Sequence, residues 1–280
     1  MEKIFEHFDK TPKTPIYHYT SQKGLIGIVL NKEIWASKIQ YLNDSTEFRH
    51  AYYLLQKRLG TEFRSIDDKF INGLKNSADG SKHINIFAAS FSENGDLLSQ
   101  WRAYCPDSGG YNIGFNHSDL EWLLNSYNLE IVPCIYEEEK QFLLIDELIN
   151  HFLTKYQNDQ ISDWMDFLDD FKSEFIRLAP VLKHPSFREE KEWRIVSRPV
   201  SYYNEEVDYR PGESMIIPYY KMRLASSDDN FSFHKINIGP TPHKKLAEHS
   251  VMGLLFKSGH FNSTANHQMI DKSKIPYRTW

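Results

Sequence analysis

Three clusters of polar side chains interrupt segments that otherwise read as apolar strands. In residues 16–20, Ile-Tyr-His-Tyr-Thr, alternation puts His18 and Thr20 on one face with Ile16, and Tyr17 and Tyr19 on the other. A histidine in such a strand is most often a satisfied core residue. Thr20, however, comes just before a helix start, and strand-to-helix turns supply backbone donors for ligands.

The second cluster is Ser90 and Ser92, which share a strand face opposite Phe87, Ala89 and Phe91. Small hydroxyls there either admit a close ligand or pack tightly. The chain then runs through Asp96 to Gln100-Trp101-Arg102-Ala103-Tyr104. Trp101 is expected in the core, and Arg102 is either an anion clamp or an ordinary ion-pair partner.

The third cluster lies in residues 187–196. If the chain is extended there, Glu190, Glu192 and Arg194 project from one face while Trp193 and Ile195 anchor the other. The reading favoured by sequence alone is a charge-compensated ladder on a sheet edge. The same groups also suit a site that holds ribose hydroxyls and stabilises a cationic sugar centre, with Arg194 keeping the carboxylates ionised.

The elements that must position these groups alternate irregularly. Strands are expected at 16–20, 33–38, 84–92, 111–115, 131–136, 193–196, 215–219 and 235–238, from β-branched and aromatic runs. Ser21 can cap a helix carrying Leu25, Ile28 and Val29, and Asp44 with Glu47 fits a capping box before a helix to about Leu59. A short helix is expected over 96–104. Residues 141–182 turn helical, with one apolar stripe from Ile145 to Tyr156, a second from Trp164 to Leu178, and an acidic solvated face over 163–170. A last helix carries Ala247, Val251, Leu254 and Leu255. The class is α+β: a mixed, mainly antiparallel sheet or sheets with flanking helices, in one domain over 1–280 with a helical insertion at about 141–182.

Composition narrows the function classes. With 33 basic and 38 acidic residues in 280, the net charge of −5 argues against bulk-charge binding to nucleic acid or anionic lipid. Cys105 and Cys134 make no disulfide framework and no zinc site. The polar N-terminus does not read as a leader, and no apolar run is long enough for a membrane span, so a cytoplasmic protein is expected. Phosphate-loop, dinucleotide-loop, zincin and serine-elbow motifs are missing, the twelve histidines show no ligand spacing, and no metal is expected.

The three clusters, in this order, resemble the bacterial family called domain of unknown function 2971. The resemblance rests on residues 17–20, 41–47, 89–92, 99–104, 110–115 and 187–194, with 238–240 and 275–278 near the end. More remotely, the chain is similar to the ADP-ribosyltransferase fold. That resemblance implies NAD as substrate: His18 on a ribose hydroxyl, Tyr104 or Tyr111 stacked on nicotinamide, and Glu192 with Glu190 stabilising the transition state and orienting an acceptor. Thr20, Ser90, Ser92, Arg102 and Arg194 complete the expected nucleotide site.

Three functions are weighed. The first is an NAD-consuming enzyme of the toxin or phage-defence type, transferring ADP-ribose to an acceptor, protein or nucleic acid, or hydrolysing NAD. The second is a non-catalytic sensor domain that binds a nucleotide or a partner. The third, a metal-dependent nuclease, is disfavoured by the net charge.

Overall fold

The alternation read at residues 16–20 becomes the strand from which the rest of the sheet is organised. The computed structural model describes residues 1–42, 47–104, 109–158, 160–212, 214–226, 229, 231–260 and 269–276. The first half forms α1 (Glu2–Phe8), β1 (Ile16–Ser21), α2 (Gln22–Asn31), β2 (Glu33–Lys38), α3 (Glu47–Gly60), α4 (Asp68–Gly80), β3 (Phe87–Ser92), α5 (Leu98–Tyr104), β4 (Gly110–Phe115) and α6 (His117–Ser126). Then come β5 (Glu130–Pro133), α7 (Glu138–Gln157), α8 (Trp164–Leu178) and β6 (Glu192–Val196). The chain continues with β7 (Val207–Pro211), β8 (Ile216–Arg223), β9 (Lys235–Ile238), α9 (Lys244–Lys257) and β10 (Ile270–Lys272). Asp44 of the expected capping pair and the segment 277–278 fall outside the described residues, and Glu47 is the first residue of α3.

The fold is α+β. Strands run in the order β10-β9-β4-β1-β3-β2-β8-β7, with β6 added to β3 and β5 to β6. All described pairings are antiparallel except β9 with β10.

β3 is a branch point. One edge pairs along its length with β6, from Ala88↔Val196 to Ser92↔Glu192. On the other edge β1 holds only the end at Tyr17↔Ser92, and β2 only the start, at Ser37↔Ala88 and Lys38↔Phe87. Between those ends β1 turns away to pair with β4 and β2 with β8. The middle of β3 is therefore left without a strand on that side.

Two apolar cores cover the sheet. Phe87, Ala89, Phe91, Trp193 and Ile195 face a core closed by Leu25, Ile28 and Val29 of α2, Leu120 and Leu123 of α6, and Val251 and Leu255 of α9. Val132 and Val196 face the other core, built by α3, α4, α7 and α8. In that layer Phe152 of α7 meets Phe171 of α8 with ring centres 5.3 Å apart, both fully buried. Each such side chain contributes roughly 1.5–3 kcal/mol. Arg177 of α8 clamps this layer to β5 through both carboxylate oxygens of Glu130, at 3.0 and 2.9 Å.

Local signals explain the element ends. The Ser21 hydroxyl accepts from Gly24 N at 3.2 Å and caps α2, which stops where Lys32 takes a left-handed φ of 55°. Asp163, expected on a solvated face, caps α8 by accepting from Met165 N and Asp166 N. The third cluster departs from the sequence reading. β6 is internal, with β3 on one side and β5 on the other, so its charges form no edge ladder. Glu190 ends a 3-10 turn (Pro185–Glu190), and Lys191 at φ 41° makes the bend into the strand.

Candidate functional site

The gap where β1 and β2 part from β3 is a cleft of about 660 Å³, well inside the range of about 300–1,000 Å³ usual for small-molecule sites. Its lining includes His18, Thr20, Ser90, Ser92, Tyr104, Glu190 and Glu192. Three segments remote in sequence thus meet in one concavity.

His18 lies at the branch. Its Nδ1 is 2.9 Å from the Ser90 carbonyl, an acceptor only, so Nδ1 carries the proton and Nε2 keeps its lone pair. Burial lowers the imidazole pKa, against the opposing bond to Ser90, which favours the neutral ring at physiological pH. The ring also tilts against Phe91, 5.5 Å between centres. Ser90 carries its own N–H on the edge that bears this carbonyl, which places a backbone donor beside the imidazole.

Glu192 is the most constrained group. It is 5% exposed, and its carboxylate accepts from Arg194 Nε at 2.7 Å and from the Lys183 ammonium. Its backbone N–H donates to the Tyr136 hydroxyl at 2.9 Å. Burial alone would raise its pKa, but Arg194 and Lys183 outweigh that and hold it at about 2. Lys183 also bridges to Glu190 at 2.5 Å. There the balance differs: burial outweighs Lys183 and raises the Glu190 pKa. The carboxyl more ready to take a proton is therefore Glu190. Arg194 lies beneath the site, fully buried, with Nη1 donating to Pro180 O at 2.6 Å.

Tyr104 ends α5, and burial and then the nearby Glu192 charge raise its phenol pKa. α5 is pinned by Trp101, which packs edge-on to Tyr19 at 4.6 Å and donates to Asp96 at 2.8 Å. Thr20 is set by close packing: a Cβ on Gly24 would fall 1.8 Å from Thr20 Oγ1. Ser92 Oγ donates to Glu190 O at 2.7 Å and accepts from Asn94 N at 3.1 Å, tying β3 to the bend before β6.

Three expected residues lie elsewhere. Arg102 is exposed on α5, Tyr111 on β4 packs against the sheet core, and Arg194 is sealed below Glu192. Sequence reasoning missed Lys183, a lone cation ending an apolar run with no periodic signal. It also missed the cleft residues Trp35, Lys23 and Arg210.

Residues 100–195 match the family model described as a protein of unknown function, DUF2971. No curated protein and no solved structure matches the chain. The matched stretch, about a third of the chain, carries Tyr104, Lys183, Glu190, Glu192 and Arg194, whereas His18, Ser90 and Ser92 precede it. Among the described residues, no three His, Cys, Asp or Glu side chains cluster to hold a metal ion, and no helix is long and apolar enough to cross a membrane.

Proposed function

We propose that the cleft binds NAD and cleaves its nicotinamide–ribose bond, passing ADP-ribose to water or to an acceptor hydroxyl. The observation that carries this reading is that His18, Tyr104 and Glu192 line one cleft. In the proposed step the C1′–N bond breaks and its electron pair leaves with nicotinamide, which becomes neutral. The acceptor oxygen forms the new bond to C1′ and gives up its proton.

Each group has a role consistent with its surroundings. Glu192, kept ionised by two cations, lies where a carboxylate would stabilise the positive charge developing on the sugar. Neutral His18 offers Nε2 to a ribose hydroxyl. The Tyr104 ring supplies a face for the nicotinamide. Glu190, of raised pKa, is suited to take the acceptor proton.

The test is nicotinamide release from NAD by the purified protein and by its Glu192→Gln variant. Release by the native chain and its loss in the folded variant is the expected result. No release, or equal release by both, overturns the reading. A second reading is favoured by one observation: the Glu192 carboxylate is already held by Lys183 and Arg194. In a non-catalytic nucleotide sensor that network would be structural, and NAD would raise the melting temperature without being consumed.

A further inference from the structure

We propose that the β2 end of the cleft is a nucleobase-and-phosphate subsite, built on Trp35 and Arg210, so that the ligand is a nucleoside diphosphate or larger. This rests on the cleft being a nucleotide site and extends it to a part of the ligand remote from the reacting bond.

Period-2 alternation on β2 turns Glu33, Trp35 and Ser37 into the cleft while Ile34 and Ala36 are buried in the core. Trp35 is 42% exposed although β2 is an inner strand flanked by β3 and β8. One side of the indole stacks on Tyr219, with centres 4.3 Å apart and planes 26° from parallel. The indole N–H donates to Glu33 at 2.8 Å, which fixes the ring's rotation. A large aromatic surface is thus held rigid and left open toward the cleft. Such a platform takes a planar base with little loss of side-chain freedom.

Two cations complete the subsite. Arg210 reaches from β7 to donate to Ser37 Oγ at 3.2 Å, and Lys23 stands exposed on α2. Both line the cleft, and neither makes an ion pair with a described residue. A guanidinium with no carboxylate partner among the described residues is suited to a phosphate. From Ala88, where β2 joins β3, to Ser92, beside Glu192, the floor spans four residues, or about 13 Å. The aromatic end and the acidic end therefore act on different parts of an extended ligand.

The test is calorimetric titration of adenosine diphosphate into the native protein and into Trp35→Ala, Trp35→Phe and Arg210→Gln. Trp35 is 42% exposed and Arg210 half-buried, and a thermal melt of each variant checks that it folds. Trp35→Ala is expected to weaken binding about tenfold or more, Trp35→Phe by less than about threefold, and Arg210→Gln by at least about threefold. No binding by the native protein, unchanged binding by Trp35→Ala, or equal loss in Trp35→Phe overturns the base subsite. Unchanged binding by Arg210→Gln overturns its phosphate half. Failure of the NAD-cleavage reading would look different: no nicotinamide release, with adenosine diphosphate binding still dependent on Trp35.

Discussion

The His18 imidazole donates from Nδ1 to the Ser90 carbonyl across the gap that β1 and β2 leave beside β3. A side chain here takes a backbone acceptor that a neighbouring strand would otherwise take, and the bond fixes the tautomer. Asparagine can place its amide N–H near the position of Nδ1 but has no counterpart of Nε2. We expect His18→Asn to melt close to the native protein while NAD turnover falls by up to about tenfold, the worth of one hydrogen bond to the ribose. His18→Ala, which leaves the carbonyl unsatisfied, should lose about 1–3 kcal/mol as well. Thermal melts with a nicotinamide-release assay separate the two effects.

Lys183 and Glu192 should be strongly coupled. Glu192→Gln leaves two buried cations with one carboxylate fewer and is expected to cost about 3–5 kcal/mol. Adding Lys183→Met removes the surplus charge and should restore part of that loss. A double-mutant cycle by urea denaturation measures the coupling, and additive effects would contradict the buried network.

His7 makes stability pH-dependent. Its Nε2 donates to Pro133 O at 2.8 Å, and Nδ1 accepts from the Lys10 ammonium at 3.3 Å, so only the neutral ring fits. Burial, foremost, lowers its pKa to about 4, whereas the unfolded chain titrates near 6.5. Between those values the unfolded state binds more protons, so stability falls as pH drops from about 6.5 toward 4. The loss attributable to His7 between pH 7 and 5 is about 2 kcal/mol. Denaturation at both pH values should show it, and His7→Gln should flatten the difference.

Gly24→Ala should act on the cleft rather than on the helix. Alanine favours a helix by up to about 1 kcal/mol over glycine, but its Cβ would displace the Thr20 hydroxyl from the lining. The expected result is near-native melting with ligand affinity reduced several-fold, read by titration with adenosine diphosphate.

The strands were legible where alternation and burial coincide. Residues 33–38 and 235–238 form strands as read, carried by the buried Ile34 and Ala36 and by Ile236 and Ile238, although Trp35 is exposed and the polar Ser37, Lys38 and Asn237 are buried. The expected strand at 84–92 begins only at Phe87, since Ile86 is still engaged with the turn before it. The branching of β3 was not legible, because it depends on which strands stop pairing where, a property of distant partners. Glu192 and Arg194 fall on one strand face in the sequence reading, but the internal position of β6 was hidden: among the described strands it is the short β5, four residues ending at Pro133, that covers that edge. His18, Ser90 and Glu192 could be named from their types. Lys183 could not, since nothing around residue 183 distinguishes a buried bridging cation from an ordinary surface lysine.

Lys183 and Pro180 both belong to the tail that follows α8, and from there they hold Glu190, Glu192 and Arg194. The two long helices before that tail are consequently the mount for the acidic wall, although none of their residues lines the cleft. Loosening them would withdraw a counter-ion and a carbonyl together, leaving adjacent negative charges to repel one another in a poorly solvated recess. A shortened version of this chain could dispense with that helical pair only by bringing positive charge to the same spot along another route.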